Sequence, residues 1–287
     1  MPEGDTLRRL ADAIDGRFAG EAVQRCITRD PRLVGVDLTG RRLVSADAYG
    51  KHLFVRFDHG WTLHAHLLMT GSFSVGRPSS EPAWKRRVEL ELAGGHVVGE
   101  MVPVLGMLRT ADEVRVTVEL GPDLCSRAGP PDPVTIAGRM LVDSRDLLCG
   151  SMLDQRNVAG FGNIYANEIP FIVGISPFQP VGTVEGLDRL IGVGAALIRT
   201  NAARGPQNTT GRRLQTSAVW VHGVGRRPCP VCGTRLDHRS ERASPWGRSI
   251  TWCRTCQPER DVAAIDDGRV GRLLALHPAS AEGVFPL

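Results

Sequence analysis

Lysine is nearly missing from this chain: of its 35 bases only Lys51 and Lys85 are lysine. Codon composition accounts for an arginine bias of this kind, but it directs attention to both lysines. Long apolar runs are lacking as well. No stretch approaches the roughly 20 consecutive apolar residues of a membrane span, and the first residues carry charge where a secretory leader has an apolar core. A membrane-embedded chain is therefore excluded and a cytoplasmic one expected. A strong excess of one charge sign is also absent, with a formal net charge of only +4. What is present, 42% apolar and 23% charged residues in a chain of 287, suffices for two domains with their own cores and excludes a disordered tail or a peptide-sized scaffold.

The small net charge is unevenly placed. Residues 205–260 carry ten bases and three acids, while the segments before and after them are close to balance or slightly acidic. Four of the seven cysteines fall in the same stretch, as Cys229-Pro-Val-Cys232 and Cys253-Arg-Thr-Cys256. Two C-x-x-C pairs so spaced fit four thiolates around one tetrahedral Zn2+. Two disulfides would be the alternative, but they suit a secreted module and no signal peptide is seen. His238 lies between the pairs as a possible substitute ligand, although four cysteines already complete a structural site. Cys26, Cys125 and Cys149 are scattered and read as small apolar side chains.

Leu7, Leu10, Ala11 and Ile14 recur at helical spacing, so residues 5–15 are expected to form an amphipathic helix from which the first three residues protrude. Short β-like runs follow at Ala22–Thr28, Arg42–Ala48, His52–Phe57, Trp61–Leu68, Arg87–Leu92 and His96–Val102, several separated by glycine turns, which suggests a sandwich or barrel. A Gly/Pro-rich stretch over Gly121–Pro133 marks a domain boundary. Beyond it, 145–158, 162–169 and 185–203 read as helices, the first two joined by a tight Ala159-Gly160-Phe161-Gly162 turn. The apolar run Val270–Leu276 is either a docked helix or part of a loose tail.

Three separated features coincide: Met1-Pro2-Glu3-Gly4; the run Leu153-Asp154-Gln155-Arg156-Asn157-Val158-Ala159-Gly160-Phe161-Gly162-Asn163-Ile164-Tyr165-Ala166-Asn167-Glu168; and the four-cysteine module containing Gly247-Arg248-Ser249-Ile250-Thr251-Trp252-Cys253. In this order they closely resemble the formamidopyrimidine-DNA glycosylase/endonuclease VIII family of bifunctional DNA repair enzymes, over roughly residues 2–257. The resemblance implies an α+β multidomain fold: an N-terminal β-sandwich with the terminal helix against it, then a helical domain with a helix–two-turn–helix and a zinc finger, with DNA in the cleft between. The expected boundaries are a catalytic sandwich at 1–120, a hinge at 121–135, a helical domain at 136–221, the finger at 222–257 and a tail at 258–287. A monomer acting on damaged double- or single-stranded DNA, and associated with the nucleoid when bound, is the implied working form.

The resemblance names Pro2 as the nucleophile once Met1 is removed, and elementary chemistry agrees. An α-amine ionises near about 7.7–8.0 and a lysine near about 10.4, so the terminal amine offers far more unprotonated nucleophile at neutral pH. Attack on sugar C1′ expels the damaged base and leaves an iminium, whose charge acidifies the C2′ proton for β- and then δ-elimination. Glu3 is implied as the acid/base group beside the sugar, a role suited to a carboxyl kept from water. Family members usually carry a second glutamate where this chain has Thr6. Lys51, in Tyr49-Gly50-Lys51-His52-Leu53, matches a family lysine that binds a phosphate flanking the lesion. Asn163 and Arg248 match further phosphate contacts, from a helix start and a finger hairpin. His66 matches a phosphate-side histidine, and Met69 the wedge that fills the gap left by an extruded nucleotide.

The purine-specific branch adds an arginine and a phenylalanine from a later loop to read the opposite cytosine. The comparable stretch here, Met101-Val102-Pro103-Val104-Leu105-Gly106, has neither. Together with Met-Pro-Glu-Gly at the start, this favours the endonuclease VIII side of the family and removal of oxidised pyrimidines and hydantoin-type lesions. The alternatives are a formamidopyrimidine/8-oxoguanine-type purine glycosylase and a non-catalytic damaged-DNA-binding paralogue.

Overall fold

The computed structural model describes residues 2–213 and 218–281. The chain divides into two compact units, Met1–Glu119 and Leu120–Leu287.

The first unit opens with α1 (Gly4–Phe18), whose Leu7, Ala11, Ile14 and Phe18 form one fully buried stripe. Eight strands follow: β1 (Arg25–Thr28), β2 (Leu43–Tyr49), β3 (His52–Phe57), β4 (Trp61–His66), β5 (Ser72–Val75), β6 (Arg86–Leu92), β7 (Gly95–Glu100) and β8 (Val104–Arg109). They form two antiparallel four-stranded sheets, ordered β1-β6-β7-β5 and β2-β3-β4-β8. Alternate residues of both sheets meet the α1 stripe in one apolar core. The outer edge of β2 is covered by α1: the Asp15 carboxylate accepts the Ala46 N–H at 2.8 Å, and buried Arg8 donates to Asp47 at 2.7 Å and to the Ala48 carbonyl at 2.5 Å. These contacts occupy backbone groups that an open sheet edge would leave to other chains. A short helix, α2 (Val114–Thr117), ends the unit.

The second unit contains α3 (Pro133–Met140), α4 (Leu148–Leu153), α5 (Asn163–Val173), β9 (Val184–Glu185), α6 (Leu187–Arg204), β10 (Asp237–Arg239), β11 (Ile250–Trp252), β12 (Ala263–Ala264), α7 (Asp267–Leu274) and α8 (Pro278–Ala281). Every residue of α5 is buried, so this helix is the axis on which the unit is built. The helix expected over 145–158 is shorter, ending at Leu153. Asp154 turns its carboxylate to accept the Arg156 N–H at 2.9 Å, and Asn157 donates to the Ser151 carbonyl at 3.1 Å. Side-chain bonds to nearby backbone thus replace the next helical turn. Gln155 then ties the α4–α5 connection, donating to the carbonyls of Leu153 and Phe161, both at 2.9 Å, and accepting the Gly160 N–H at 3.1 Å. Gly160 takes a left-handed φ of 115°, which a side chain at that position would oppose.

The apolar run after the cysteine module forms a docked helix. Val270 and Leu274 of α7 join the core, Asp266 caps its start by accepting the Arg269 N–H at 2.8 Å, and buried Arg269 donates to the Phe171 carbonyl near the end of α5 at 2.9 Å. Among the described residues, no helix is long and apolar enough to cross a membrane.

Candidate functional site

Pro2 is half-buried and Glu3, directly after it, has no exposed surface. Glu3 is the N-cap residue of α1, and its carbonyl accepts the N–H groups of Thr6 at 3.0 Å and Leu7 at 3.1 Å. The helix therefore fixes the direction in which residues 2 and 3 leave it. Met1, whose removal the expected Pro2 nucleophile would require, lies outside the described residues. Asp5 is a second carboxyl with no exposure, one position before Thr6. Sequence reading passed it over because it compared only position 6.

Lys51 occupies the second position of the two-residue turn between β2 and β3, after Gly50 at φ 55°. Tyr49 pairs with His52 across this turn, and His52 in turn pairs with His66 on β4. The pairing gathers three imidazoles, of which sequence reasoning had marked only His66. His52 Nδ1 and His64 Nε2 are 2.9 Å apart, and the ring centroids of His52 and His66 are separated by 4.8 Å. Burial is the main cause that lowers the pKa of His52 to about 3 and of His66 to about 4, with the Lys51 charge adding to both. At neutral pH these rings are uncharged. His66 Nδ1 accepts the Leu68 N–H at 3.1 Å, so its own proton resides on Nε2, which is left as a neutral donor. The signal for the cluster was the period-two His64-x-His66 spacing, which puts both rings on one face of a strand.

The segment after His66 is a tight loop. Gly71 N–H donates to the Leu67 carbonyl at 2.8 Å, and a Cβ on Gly71 would meet that carbonyl oxygen at only 2.8 Å. Leu67 is buried, but Leu68 is 48% exposed in a left-handed conformation (φ 46°) and Met69 is 53% exposed. Met69 is thus a surface side chain at a loop tip and takes no part in the core. A non-glycine residue held at positive φ is backbone strain of the kind that gathers at ligand-facing loops.

In the second unit, Asn163 is the first residue of α5 and is buried. Its Nδ2 donates to Ser249 Oγ at 3.4 Å, bringing the helix start to the residue beside Arg248. Asn167, one turn later, donates to the Ser249 carbonyl at 3.3 Å and accepts the Thr251 N–H at 2.7 Å. The β10–β11 hairpin is therefore pinned to α5 through two asparagine side chains. Arg248 itself is exposed, following Gly247 at φ 60° in the hairpin loop. Glu168, part of the same sequence run but given no role from it, accepts the N–H groups of Trp220, Val221 and His222 at 2.7, 2.8 and 2.7 Å and the Thr209 hydroxyl at 2.5 Å.

The ligating atoms of Cys229, Cys232, Cys253 and Cys256 lie within 4.8 Å of one another. Cys229 and Cys256 sulfurs are 3.8 Å apart and Cys232 and Cys253 sulfurs 3.4 Å, and none is in a disulfide. A tetrahedron with metal–sulfur bonds of about 2.3 Å has edges of about 3.8 Å. The four thiols fit one metal ion. His238 is outside this group and bonds Thr251 Oγ1 at 3.0 Å. Cys125 and Cys149 are buried in the core, and Cys26 is half-buried.

Comparison with known proteins follows the same outline. Residues 1–100 match the family model described as formamidopyrimidine-DNA glycosylase N-terminal domain. The chain is 39% identical over 264 residues to a probable endonuclease 8 2 of Streptomyces coelicolor, covering 90% of this chain and 94% of that one. It is 34% identical over 259 residues to a Mycolicibacterium smegmatis protein named DNA-(apurinic or apyrimidinic site) lyase Nei2, covering 90% and 99%. Among solved structures, the MutM (Fpg) protein of Thermus thermophilus is similar with a TM-score of 0.69 and 28% identity, over 90% of this chain and all of that one.

Proposed function

The chain belongs to the formamidopyrimidine-DNA glycosylase/endonuclease VIII family, on its endonuclease VIII-like side, and from that premise we propose that it is a bifunctional DNA glycosylase/AP lyase of base excision repair that removes oxidised pyrimidines and hydantoin-type lesions through a Schiff base on Pro2. The observation that carries the reading is the fully buried Glu3 carboxyl directly after Pro2, at the fixed start of α1. A carboxyl kept from water is suited to proton transfer, and this one adjoins the one residue whose backbone nitrogen becomes a secondary amine when Met1 is removed.

In this reading the Pro2 amine attacks C1′ of the damaged nucleotide and the base departs, leaving an iminium. Glu3 protonates the ring oxygen and carries protons during elimination at C2′ and beyond. Lys51, and His66 through its Nε2–H, hold a phosphate beside the lesion, Met69 fills the vacated stack, and Asn163 with Arg248 engage the backbone from the helical unit. Residues 1–120 serve as the catalytic domain, 136–221 as the helix–two-turn–helix domain and 222–257 as the finger. Cys229, Cys232, Cys253 and Cys256 hold a single structural Zn2+, which supplies no reacting group and stiffens the hairpin that carries Arg248.

The pyrimidine preference is supported by β8. It begins at Val104, so only Met101–Pro103 remain as a loop where the purine branch carries its reading arginine and phenylalanine. A preparation whose mass confirms loss of Met1 is expected to form a borohydride-trapped adduct with duplexes bearing thymine glycol or an abasic site, and Pro2→Gly combined with Glu3→Gln to abolish it. Absence of the adduct, or its persistence in the double variant, would overturn the reading. Faster processing of 8-oxoguanine opposite cytosine than of thymine glycol would move the chain to the purine branch.

A further inference from the structure

We propose that Arg87, in a pocket beside the Met69 tip, binds a backbone phosphate of the DNA strand opposite the lesion, a role that rests on the DNA-repair reading above. The pocket, about 430 Å3 in volume, is lined by Asp30, Arg32, Thr70, Arg87, Met101 and Pro103 among others, all in the first unit. Two backbone irregularities converge on it. The β6–β7 register shifts between Arg86 and Val88, so Arg87 sits at a bulge, and Met101 adopts a left-handed φ of 48° without being glycine. Bulges re-aim a side chain out of the sheet alternation and, like strained φ values, gather at binding sites.

The two arginines have different tasks. Arg32 is fully engaged: it forks onto Asp30 through Nε at 2.7 Å and Nη2 at 2.6 Å, and it donates to the Val102 carbonyl at 3.1 Å and to the Pro103 carbonyl. Asp30 offsets its charge, so Arg32 is a positioning residue that holds the 101–103 loop as one wall. Arg87 has no carboxylate in ion-pair range among the described residues, and its side-chain hydrogen bond there is to the Met101 sulfur at 3.9 Å, a weak acceptor. Asp30 feels the Arg87 charge as well as that of Arg32, so two guanidiniums share one carboxylate, and the pocket keeps an excess positive charge with Arg87 donors to spare. A planar fork of that kind matches a phosphodiester.

Connectivity assigns the strand. The loop bearing Met69 leaves β4 of one sheet and enters β5 of the other. Lys51 and His66 belong to the sheet before the tip, and Arg87 to the sheet after it, with Thr70 of the loop lining the pocket. A tip entering a base stack has one phosphate chain on each side. If Lys51 and His66 hold the damaged strand, the cation on the other flank faces its complement. Arginine from the sheet then takes up the complementary-strand contact that the short 101–103 loop cannot extend to make.

The test uses the full chain and duplexes containing a tetrahydrofuran abasic analogue, with single methylphosphonate linkages scanned along each strand. Wild-type protein is expected to lose about tenfold in affinity at one or two positions of the undamaged strand. Arg87→Gln should bind the unmodified duplex about tenfold more weakly, with a salt slope lower by about one counterion, and should lose nothing further at those positions while staying sensitive at damaged-strand positions. Arg87→Lys, keeping charge, should recover part of the affinity, and unchanged thermal unfolding of both variants separates the contact from a folding defect. Retained sensitivity of Arg87→Gln at every undamaged-strand position overturns the proposal, and so does a loss of sensitivity confined to the damaged strand. Borohydride trapping by the wild-type protein on abasic single strands reads the parent activity separately, so failure of one reading is distinguishable from failure of the other.

Discussion

Keeping His52 and His66 uncharged has a consequence for stability that can be measured without DNA. In the unfolded chain an imidazole takes its proton near about pH 6.5, whereas burial, together with neighbouring imidazoles and Lys51, holds the folded values at about 3 and about 4. As pH falls below 6.5 the unfolded state binds protons that the folded state does not, so unfolding becomes easier. The stability these residues contribute is complete above pH 6.5 and is lost progressively as pH falls towards 4 and then 3. Denaturant midpoints should therefore drop between pH 6.5 and 4, and His52→Gln with His66→Gln should flatten that slope while leaving the acid limb set by the carboxylates. Imidazole resonances of both residues should show no titration between pH 8 and 5.

The α4–α5 connection illustrates what an element owes to bonds that periodicity does not reveal. Leu148, Met152 and Val158 are all buried and continue a helical pattern, which is why 145–158 reads as one helix, but the carboxylate of Asp154 and the amide of Asn157 end it at Leu153. His52–Phe57 was legible at its true ends because glycine turns bracket it, whereas Val104–Arg109 was missed because Gly106 interrupts it and its pairing partner, β4, is distant in sequence. Of the candidate site, the cysteine pairs are legible from their spacing, and Pro2 and Glu3 through the resemblance of Met1-Pro2-Glu3-Gly4 to the start of family members. Arg87 is not, since a register shift in β6 gives no mark in composition. The same reasoning singles out Glu168, whose oxygens accept three consecutive N–H groups from residues 220–222. Burial raises its pKa, and these N–H groups and the Thr209 hydroxyl pull the other way. Glu168→Ala would leave the buried Trp220 and Val221 donors and the half-buried His222 donor unanswered, at about 1–3 kcal/mol for each buried group. Loss of about 3 kcal/mol or more in equilibrium unfolding is expected, with hydrogen exchange accelerated first in residues 218–222.

At the scale of the molecule, each unit has its own apolar core. One is built from α1 and the two sheets, the other from α3–α7 and the cysteine module. The module is no loose appendage to its unit. Cys229, Cys253, Leu236 and Ile250 belong to that core, Gln257 donates to the Ile175 carbonyl at 2.9 Å, and Phe178 packs between Trp246 and Trp252 with Arg239 stacked on its ring at 4.4 Å. A metal bound by the four thiols thus stabilises α5 and the helix packing as well as its own loops, because binding energy for a site that exists only in the folded state is folding energy. Calorimetry of the intact chain should resolve two transitions. Stripping the metal with a chelator while blocking the freed thiols should lower one of them by about 10 °C or more and leave the other in place. DNA affinity should fall in parallel, since Arg248 rides on the hairpin that Asn163 and Asn167 fasten to α5. Equal displacement of both transitions would mean that the units unfold together, and an unmoved pair would mean that the thiol cluster holds no metal that matters to folding.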